Sequence, residues 1–73
     1  MGKPHLTLGE VIKILREAKG LSQEELGARA SIHRTYVSQL ERCVKSPTIA
    51  VLEQVAKALD TKPSQILKMM EER

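Results

Sequence analysis

Residues 22–47 read SQEELGARASIHRTYVSQLERCVKSP, and the arrangement of the whole chain follows from this segment. Ser22 and Glu25 have the spacing of a capping box, in which a hydroxyl is followed three residues later by a carboxylate. Apolar residues then recur at helical spacing on both sides of a tight turn. These residues are Leu26, Ala30, Ile32, Val37 and Leu40. The segment therefore predicts two short helices, near residues 23–30 and 34–41, that are locked together by their apolar side chains.

Two short helices joined by a tight turn are the pattern of a helix-turn-helix, in which the second helix enters the major groove of DNA. Gly27 fits this pattern because it is small where the two helices must approach closely. The same segment therefore gives the first indication of function, which is binding to double-stranded DNA.

Caps and apolar spacing predict three more helices. Thr7 and Glu10 form another capping box, and Gly20 supplies a left-handed stop further along the chain. Thr48 can cap a fourth helix, and Pro63 suits the first turn of a fifth. The inner face of the fourth helix is expected to carry Ile49, Leu52, Ala56 and Leu59. We expect these helices near residues 8–19, 49–59 and 63–70.

Length and composition agree with a small helical protein. The chain has 73 residues, which is one domain at most, and its only aromatic residue is Tyr36. A core of Leu, Ile, Val, Ala and Met favours helices over sheets. We therefore predict an all-α fold, a compact bundle of five short helices that forms a single domain over residues 1–73.

Several classes of function are not indicated by the sequence. Charged residues make up 29% of the chain, no apolar run is long enough to span a membrane, and residues 1–7 lack the apolar central region of a secretory signal. Cys43 is the only cysteine, and no cluster of cysteine and histidine has metal-ligand spacing. The serines, His5, His33 and Cys43 show no pairing of nucleophile and base. We expect a cytoplasmic protein that is not an enzyme and has no cofactor, metal, membrane partner or small-molecule substrate.

The charge is concentrated in the first part of the chain. Residues 1–46 contain eight Lys/Arg and five Asp/Glu, a net charge of +3, whereas residues 47–73 contain four of each. A basic bias with a pI of about 9.3 favours a polyanionic partner. At this modest charge, a merely solvated surface is the competing interpretation.

Together these motifs resemble the Cro/repressor-type helix-turn-helix proteins, the XRE-like family. The matching residues are Leu15-Arg16, Gly20 to Leu26, Ile32 to Tyr36, Ser38 to Arg42, Pro47, Leu52 and Ala56 to Leu59. The resemblance covers roughly residues 8–68 and implies a lambda-repressor-like DNA-binding domain. It also implies a transcriptional regulator that binds a palindromic operator as a homodimer, such as a phage-type repressor or a restriction–modification controller protein.

The chain departs from the family pattern at two positions. Relatives usually have glycine where this chain has Ser31, and glycine or asparagine where it has Cys43. A non-glycine residue in a left-handed conformation costs about 1 kcal/mol. A rearranged loop is therefore one outcome that the sequence allows there. We interpret Cys43 as an inert substitution rather than a redox-sensing thiol, because no base or second cysteine accompanies it.

The third predicted helix has one polar side. With Val37 and Leu40 facing inward, a helical wheel places Thr35, Ser38, Gln39 and Arg42 outward, and Arg34 on the flank at the N-terminal tip. Because that tip meets base edges in this docking mode, the predicted base contacts are Arg34, Thr35, Ser38 and Gln39. Arginine can bind guanine O6 and N7, glutamine can bind adenine N6 and N7, and threonine can contact a thymine methyl group.

Phosphate contacts are expected on both sides of this helix. Gln23 lies at the start of the second helix, where free N–H groups attract an anion, and the resemblance implies a backbone clamp there. The further candidates are His33, Tyr36, Arg42, Lys45 and Ser46. For Tyr36, partial packing in the core is an equal alternative, and for His33 the alternative is a simple helix cap.

Arg16 and Glu41 are the predicted structural ion pair. The helical wheel places both at the borders of apolar faces, where a half-buried charge needs a partner. The resemblance implies that the two charges bridge the first and third helices. We hypothesise that they orient the recognition helix.

One recognition helix reads too few base pairs for selectivity, so a dimer is expected. The predicted interface consists of Val51, Val55, Ala58, Ile66, Leu67, Met69 and Met70. The alternative is that some of these residues close the small core. RNA polymerase is a further candidate partner. The rival hypothesis for the whole chain is a protein-interaction module, such as the antitoxin of a toxin–antitoxin pair.

Overall fold

A computed structural model describes residues 5–71, and this part of the chain folds into five α-helices without a strand. The helices are α1 (Leu8–Ala18), α2 (Gln23–Ala30), α3 (Arg34–Glu41), α4 (Ile49–Ala58) and α5 (Pro63–Glu71). All five predicted helices are present, and only the last residues of α1, α4 and α5 differ from the prediction, by one residue each. The prediction of an all-α bundle is confirmed.

The N-termini of the helices are capped by side chains close in sequence. Thr7 and Ser22 complete the capping boxes that begin α1 and α2, with the two hydroxyls accepting from the N–H groups of Glu10 at 3.1 Å and Glu25 at 3.0 Å. The hydroxyl of Thr48 accepts from the N–H of Val51 at the start of α4. At the start of α3 the cap is the imidazole of His33. Side-chain caps supply acceptors for N–H groups that have no partner within the helix.

Four helices end in the same backbone arrangement. After each of the helices α1 to α4, one residue has a left-handed φ of 57–71°. The residue that follows it donates its N–H to the carbonyl oxygen of the residue five positions earlier in the chain. These left-handed residues are Gly20, Ser31, Cys43 and Asp60. The loop at Cys43 therefore has the same left-handed turn as the loop at Gly20 rather than a rearranged one, although only Gly20 of these four residues is a glycine.

The core consists of two adjoining clusters. In the larger cluster, Leu26 and Ala30 of α2 pack with Val37 and Leu40 of α3 and with the inner side of α4. The smaller cluster joins α1, α4 and α5 through Val11, Leu52, Ala56 and Ile66. Because α4 packs against α2 on one side and α5 on the other, it uses two apolar stripes within a single protomer.

This packing corrects part of the predicted dimer interface. Val55, Ala58 and Ile66 are buried in the protomer, with at most 9% of each exposed, so they close the core rather than forming a free surface. The opposite error occurs at Ile49, which was expected on the inner face of α4 and is 74% exposed. Ile49 is the first residue of its helix, and the first buried residue of α4 is Leu52, three positions later.

Two glycines allow close contacts that position α3. A Cβ on Gly27 would lie 2.6 Å from the carbonyl oxygen of Ile32, so the predicted close approach is between α2 and the backbone of the turn. A Cβ on Gly9, which the sequence did not single out, would lie 2.5 Å from the Leu40 carbonyl oxygen and collide with that of Glu41. Gly9 therefore lets α1 lie directly against the C-terminal end of α3.

The left-handed residue after α3 gives a direct test of this arrangement. We expect Cys43→Gly to raise the free energy of unfolding by about 0.5–1 kcal/mol, because glycine removes the Cβ penalty at φ 60° and its own unfolded-state entropy offsets part of the gain. Urea unfolding followed by circular dichroism measures the change. Cys43→Ser is the control and should leave stability nearly unchanged, since it removes the thiol but keeps Cβ. Equal effects of the two variants would contradict the conformational explanation.

Candidate nucleic-acid interface

The α3 helix has an apolar side that faces the core and a polar side that begins at its N-terminal tip. Val37 and Leu40 are at most 2% exposed and anchor the helix in the core. Arg34 and Thr35 are exposed at the N-terminal tip, and Ser38 and Gln39 are half-buried along the same side. None of these four polar side chains is hydrogen-bonded to a residue in the described range 5–71. The polar side predicted to read DNA is therefore available to a ligand.

The predicted phosphate contacts differ in their surroundings. Arg42, Lys45 and Ser46 are exposed at the C-terminal end of α3 and in the loop that follows. Tyr36 is half-buried and packs against the larger core cluster. This is the partial core packing that the sequence offered as the alternative to a phosphate contact. The geometry thus leaves a cationic edge beyond the end of α3.

His33 and Gln23 both have a structural partner. His33 caps α3, with its Nδ1 accepting from the Thr35 N–H at 3.0 Å, as the alternative interpretation expected. The side-chain amide of Gln23 donates to Glu41 Oε1 at 3.1 Å, while its backbone begins α2. The amide of Gln23 is thus held close to the ion pair that fixes α3.

The Arg16–Glu41 pair is formed and joins α1 to the last residue of α3. Arg16 Nε donates to Glu41 Oε2 at 2.6 Å, and Nη2 donates to Oε1 at 3.1 Å. The two side chains are only 10% and 4% exposed. A bidentate pair of this kind fixes distance and orientation together, because the guanidinium fork matches the carboxylate in only a few relative positions.

Further bonds complete the surroundings of this pair. Arg16 Nη1 donates to the carbonyl oxygen of Leu21 at 2.7 Å, and the amide of Gln23 supplies a third donor to Glu41. The hydrogen bond to Glu41 raises the pKa of Arg16 above its ordinary value, against the opposing effect of burial, so the guanidinium stays charged. Among the described residues no buried side-chain nitrogen or oxygen lacks a partner. The pair therefore ties the start of α2 as well as α1 to α3.

Some features of this site carry no clear sequence signal. Gln23 was predicted as a phosphate contact from its place at a helix start, and its bond to Glu41 depends on the packing of α2 against α3. Gly9 could have been found only by knowing which turn of α1 meets α3. The described residues include no group of three or more His, Cys, Asp or Glu side chains placed to hold a metal, and no described helix could cross a membrane.

A family model described as helix-turn-helix matches residues 12–66, about three quarters of the chain. The chain belongs to the helix-turn-helix family. The matched range contains α2 and α3, the turn between them and both residues of the ion pair. The residues matched by the family model therefore include those that form the two helices of the motif and the buried ion pair.

Relatives of this helix-turn-helix protein are known in sequence and in structure. The control protein C.BamHI of Bacillus amyloliquefaciens is 33% identical over 63 residues, which cover 85% of this chain and 78% of the relative. The DNA-binding domain of the P22 c2 repressor is similar in structure, with a TM-score of 0.85 at 29% identity, over 93% of this chain and 87% of that domain. A structure of the biofilm regulator SinR in complex with DNA matches with a TM-score of 0.79 at 35% identity, over 84% and 98% of the two chains. These relatives confirm the repressor-like fold and favour a regulator over an antitoxin-type interaction module.

The ion pair of this helix-turn-helix protein can be tested by removing one or both charges. We expect Arg16→Met to lower the free energy of unfolding by about 3–5 kcal/mol, because it leaves the Glu41 carboxylate buried without its cation. Arg16→Met combined with Glu41→Leu should recover much of that loss, since neither charge then remains buried alone. Chemical denaturation of the single and double variants measures both effects. If the single variant were as stable as the wild type, the pair would have no role in holding α3.

Proposed function

We propose that the protein is a sequence-specific, double-stranded-DNA-binding transcriptional regulator whose α3 enters the major groove. The observation that carries this proposal is the bare polar side of α3, which faces outward while the opposite side is fixed by the core and by a buried ion pair. A rigid helix with free donors and acceptors on one side suits the reading of base edges. The neighbouring structure of SinR with DNA supports the same ligand class.

Base recognition is proposed to centre on the N-terminal half of α3. Arg34 can donate two hydrogen bonds to guanine, and Thr35 can offer a hydroxyl or a methyl group to the next base pair. Ser38 and Gln39 lie one turn further along and reach bases if the helix enters deeply enough. Their half-buried position makes them secondary to the two exposed residues at the tip.

Phosphate contacts are proposed to frame the recognition helix on two sides. The first N–H groups of α2, beginning at Gln23, offer an anion site at a helix N-terminus. Arg42, Lys45 and Ser46 form the opposite edge beyond the end of α3. Tyr36 and His33 remain candidate phosphate contacts, through the tyrosine hydroxyl and the imidazole nitrogen that is not used in the cap.

The regulator is proposed to act as a homodimer on a two-fold symmetric operator. Two recognition helices about 34 Å apart would read successive turns of the major groove. Of the predicted interface, Val51, Leu67, Met69 and Met70 keep at least partial exposure. Val44, in the loop between α3 and α4, is 59% exposed, and Ile49, at the start of α4, is 74% exposed. We add both to the proposed surface. A second copy is the proposed occupant because exposed apolar side chains of this kind mark an interface, and Val44 and Ile49 follow the recognition helix closely along the chain.

The regulatory class is proposed by likeness to the relatives. A controller protein of a restriction–modification system and a phage-type repressor both fit, and the chain spans 78% of the control protein C.BamHI. Such a regulator responds to its own concentration when dimerisation and operator binding are coupled. It would work on DNA in the cytoplasm by binding rather than by catalysis, and RNA polymerase is a proposed partner only if the regulator activates transcription.

Selection of bound sites from random duplex DNA tests the proposed function, with a two-fold symmetric consensus as the expected result. On that consensus we expect Arg34→Ala to weaken binding by about 1–3 kcal/mol and to relax the preference at one base pair in each half-site. Lys45→Ala is the matched control, because loss of a phosphate contact should weaken binding equally on all sequences and reduce the salt dependence. A uniform loss for Arg34→Ala would reassign that residue to the phosphate backbone.

The proposed dimer surface is tested by placing a charge at its most exposed position. We expect Ile49→Glu to shift the protein to monomer in sedimentation equilibrium at concentrations where the wild type is dimeric, because a carboxylate would be buried between two copies. Ile14→Glu on α1 is the control, since Ile14 is also an exposed isoleucine, at 44%. Leu67→Glu shows whether α5 contributes as well. A dimer unaffected by the changes at both Ile49 and Leu67 would place the interface elsewhere.

A further inference from the structure

The cap of the recognition helix differs in chemistry from the caps of the neighbouring helices. The helices α1, α2 and α4 begin with the hydroxyls of Thr7, Ser22 and Thr48, each of which accepts the N–H three residues later. The helix α3 begins with the imidazole of His33, which accepts the N–H two residues later. Hydroxyl caps keep their acceptor at all ordinary pH values, whereas an imidazole can take up a second proton.

The direction of the hydrogen bond fixes the protonation state that forms the cap. The donor is the backbone N–H of Thr35, so Nδ1 of His33 must carry a lone pair and no proton. In the neutral ring the remaining hydrogen is then on Nε2, which is a donor. A second proton, on Nδ1, would remove the acceptor and would place a positive charge at the N-terminus of α3, where the helix dipole is also positive.

Two charged side chains share the surface cleft that contains His33. Glu24 of α2 and Arg34 of α3 line the same surface cleft as His33, together with Ala28 and Ile32. The carboxylate of Glu24 and the guanidinium of Arg34 carry opposite charges. The guanidinium of Arg34 has no acceptor to offer, and in the structure the Thr35 N–H donates to His33 Nδ1 and not to Glu24.

The position of the cap links it to base recognition. His33 immediately precedes Arg34 and Thr35, the two exposed residues at the tip of α3. The carbonyl oxygen of His33 also accepts from the N–H groups of Tyr36 at 2.9 Å and Val37 at 3.2 Å. One residue therefore supplies both the side-chain and the main-chain acceptors of the turn that carries the proposed base contacts.

We propose that His33 is a proton-sensitive positioning residue, whose neutral ring holds the first turn of α3 in the geometry needed to discriminate DNA sequences. This inference rests on the proposed function. When the ring is protonated the first turn loosens, so that Arg34 and Thr35 lose their fixed directions. The added positive charge still attracts phosphate, so the quantity that falls at low pH is the preference for the specific site over other DNA.

The cap itself is tested without DNA by comparing the wild type with His33→Asn and His33→Ala. Asparagine is a strong cap that does not titrate, and alanine provides none. At pH 8 we expect the wild type and His33→Asn to have folding equilibrium constants about five-fold above that of His33→Ala, the size expected for one N-cap bond. At pH 5 the wild type should fall to the level of His33→Ala while His33→Asn keeps its advantage. All three proteins retain His5, so they differ only at position 33.

If the folding equilibrium constants of the wild type and His33→Ala had the same ratio at pH 5 and at pH 8, the proposal of a proton-sensitive cap would be overturned. If His33→Ala is too unstable to measure, the wild type is compared with His33→Asn instead. The ratio of their folding equilibrium constants should then fall about five-fold between pH 8 and pH 5. Urea unfolding followed by circular dichroism at each pH supplies the constants.

The positioning role is tested with duplex DNA of the selected consensus and a scrambled duplex of the same composition. Between pH 8 and pH 5 we expect the ratio of the two affinities to fall about five-fold for the wild type and to stay constant for His33→Asn. If the ratio of the two affinities changed with pH in the same way for both proteins, the positioning role would be overturned. Absence of any preference for the consensus at pH 8 in both proteins would instead overturn the proposed function, while the unfolding measurements would still decide on the cap.

Discussion

The buried contact between Arg16 and Glu41 is the interaction on which the rest of the fold depends for its geometry. Leucine, isoleucine and valine side chains supply most of the burial, but the hydrophobic effect is non-directional and does not by itself select one orientation of two helices. A bidentate pair that is almost fully removed from water cannot slide without leaving a charge unpaired. Because a buried pair adds little net stability after desolvation, its contribution here is best understood as fixing where α3 lies on α1.

A second constraint comes from the short helices. Helices of eight residues are marginal on their own in water, so α2 and α3 depend on their ends as much as on their length. The described caps supply acceptors at the N-termini, and left-handed residues close the C-termini of α1 to α4. At three of these C-termini the chain keeps this geometry without glycine. The backbone arrangement of the motif is thus maintained by the surrounding bonds, even where the local residue opposes it.

Local signals made most of the fold predictable from the sequence. The capping boxes at Thr7 and Ser22 mark where α1 and α2 begin, and Gly20 marks where α1 ends. Each of these signals involves only residues that are close together in the sequence. The faces of α4 were less predictable, because Val55 and Ile49 are both apolar and only the placement of α2 and α5 decides which is covered. The same reason explains why Gly9 gave no signal: its small size matters only because the carbonyls of α3 lie against it.

The two ends of α3 are held by different means, and this difference affects recognition. Glu41 at the C-terminal end is fixed by a buried charge, whereas Arg34 lies seven residues away, about 10 Å along the helix. Rigidity imposed at one end weakens along an eight-residue helix whose first turn faces solvent. The direction of Arg34 therefore depends on local restraints, namely the passage of the turn over Gly27 and the acceptors of His33. In this protein the part of the helix best placed to read bases begins with two exposed side chains, and the first buried residue after them is Val37.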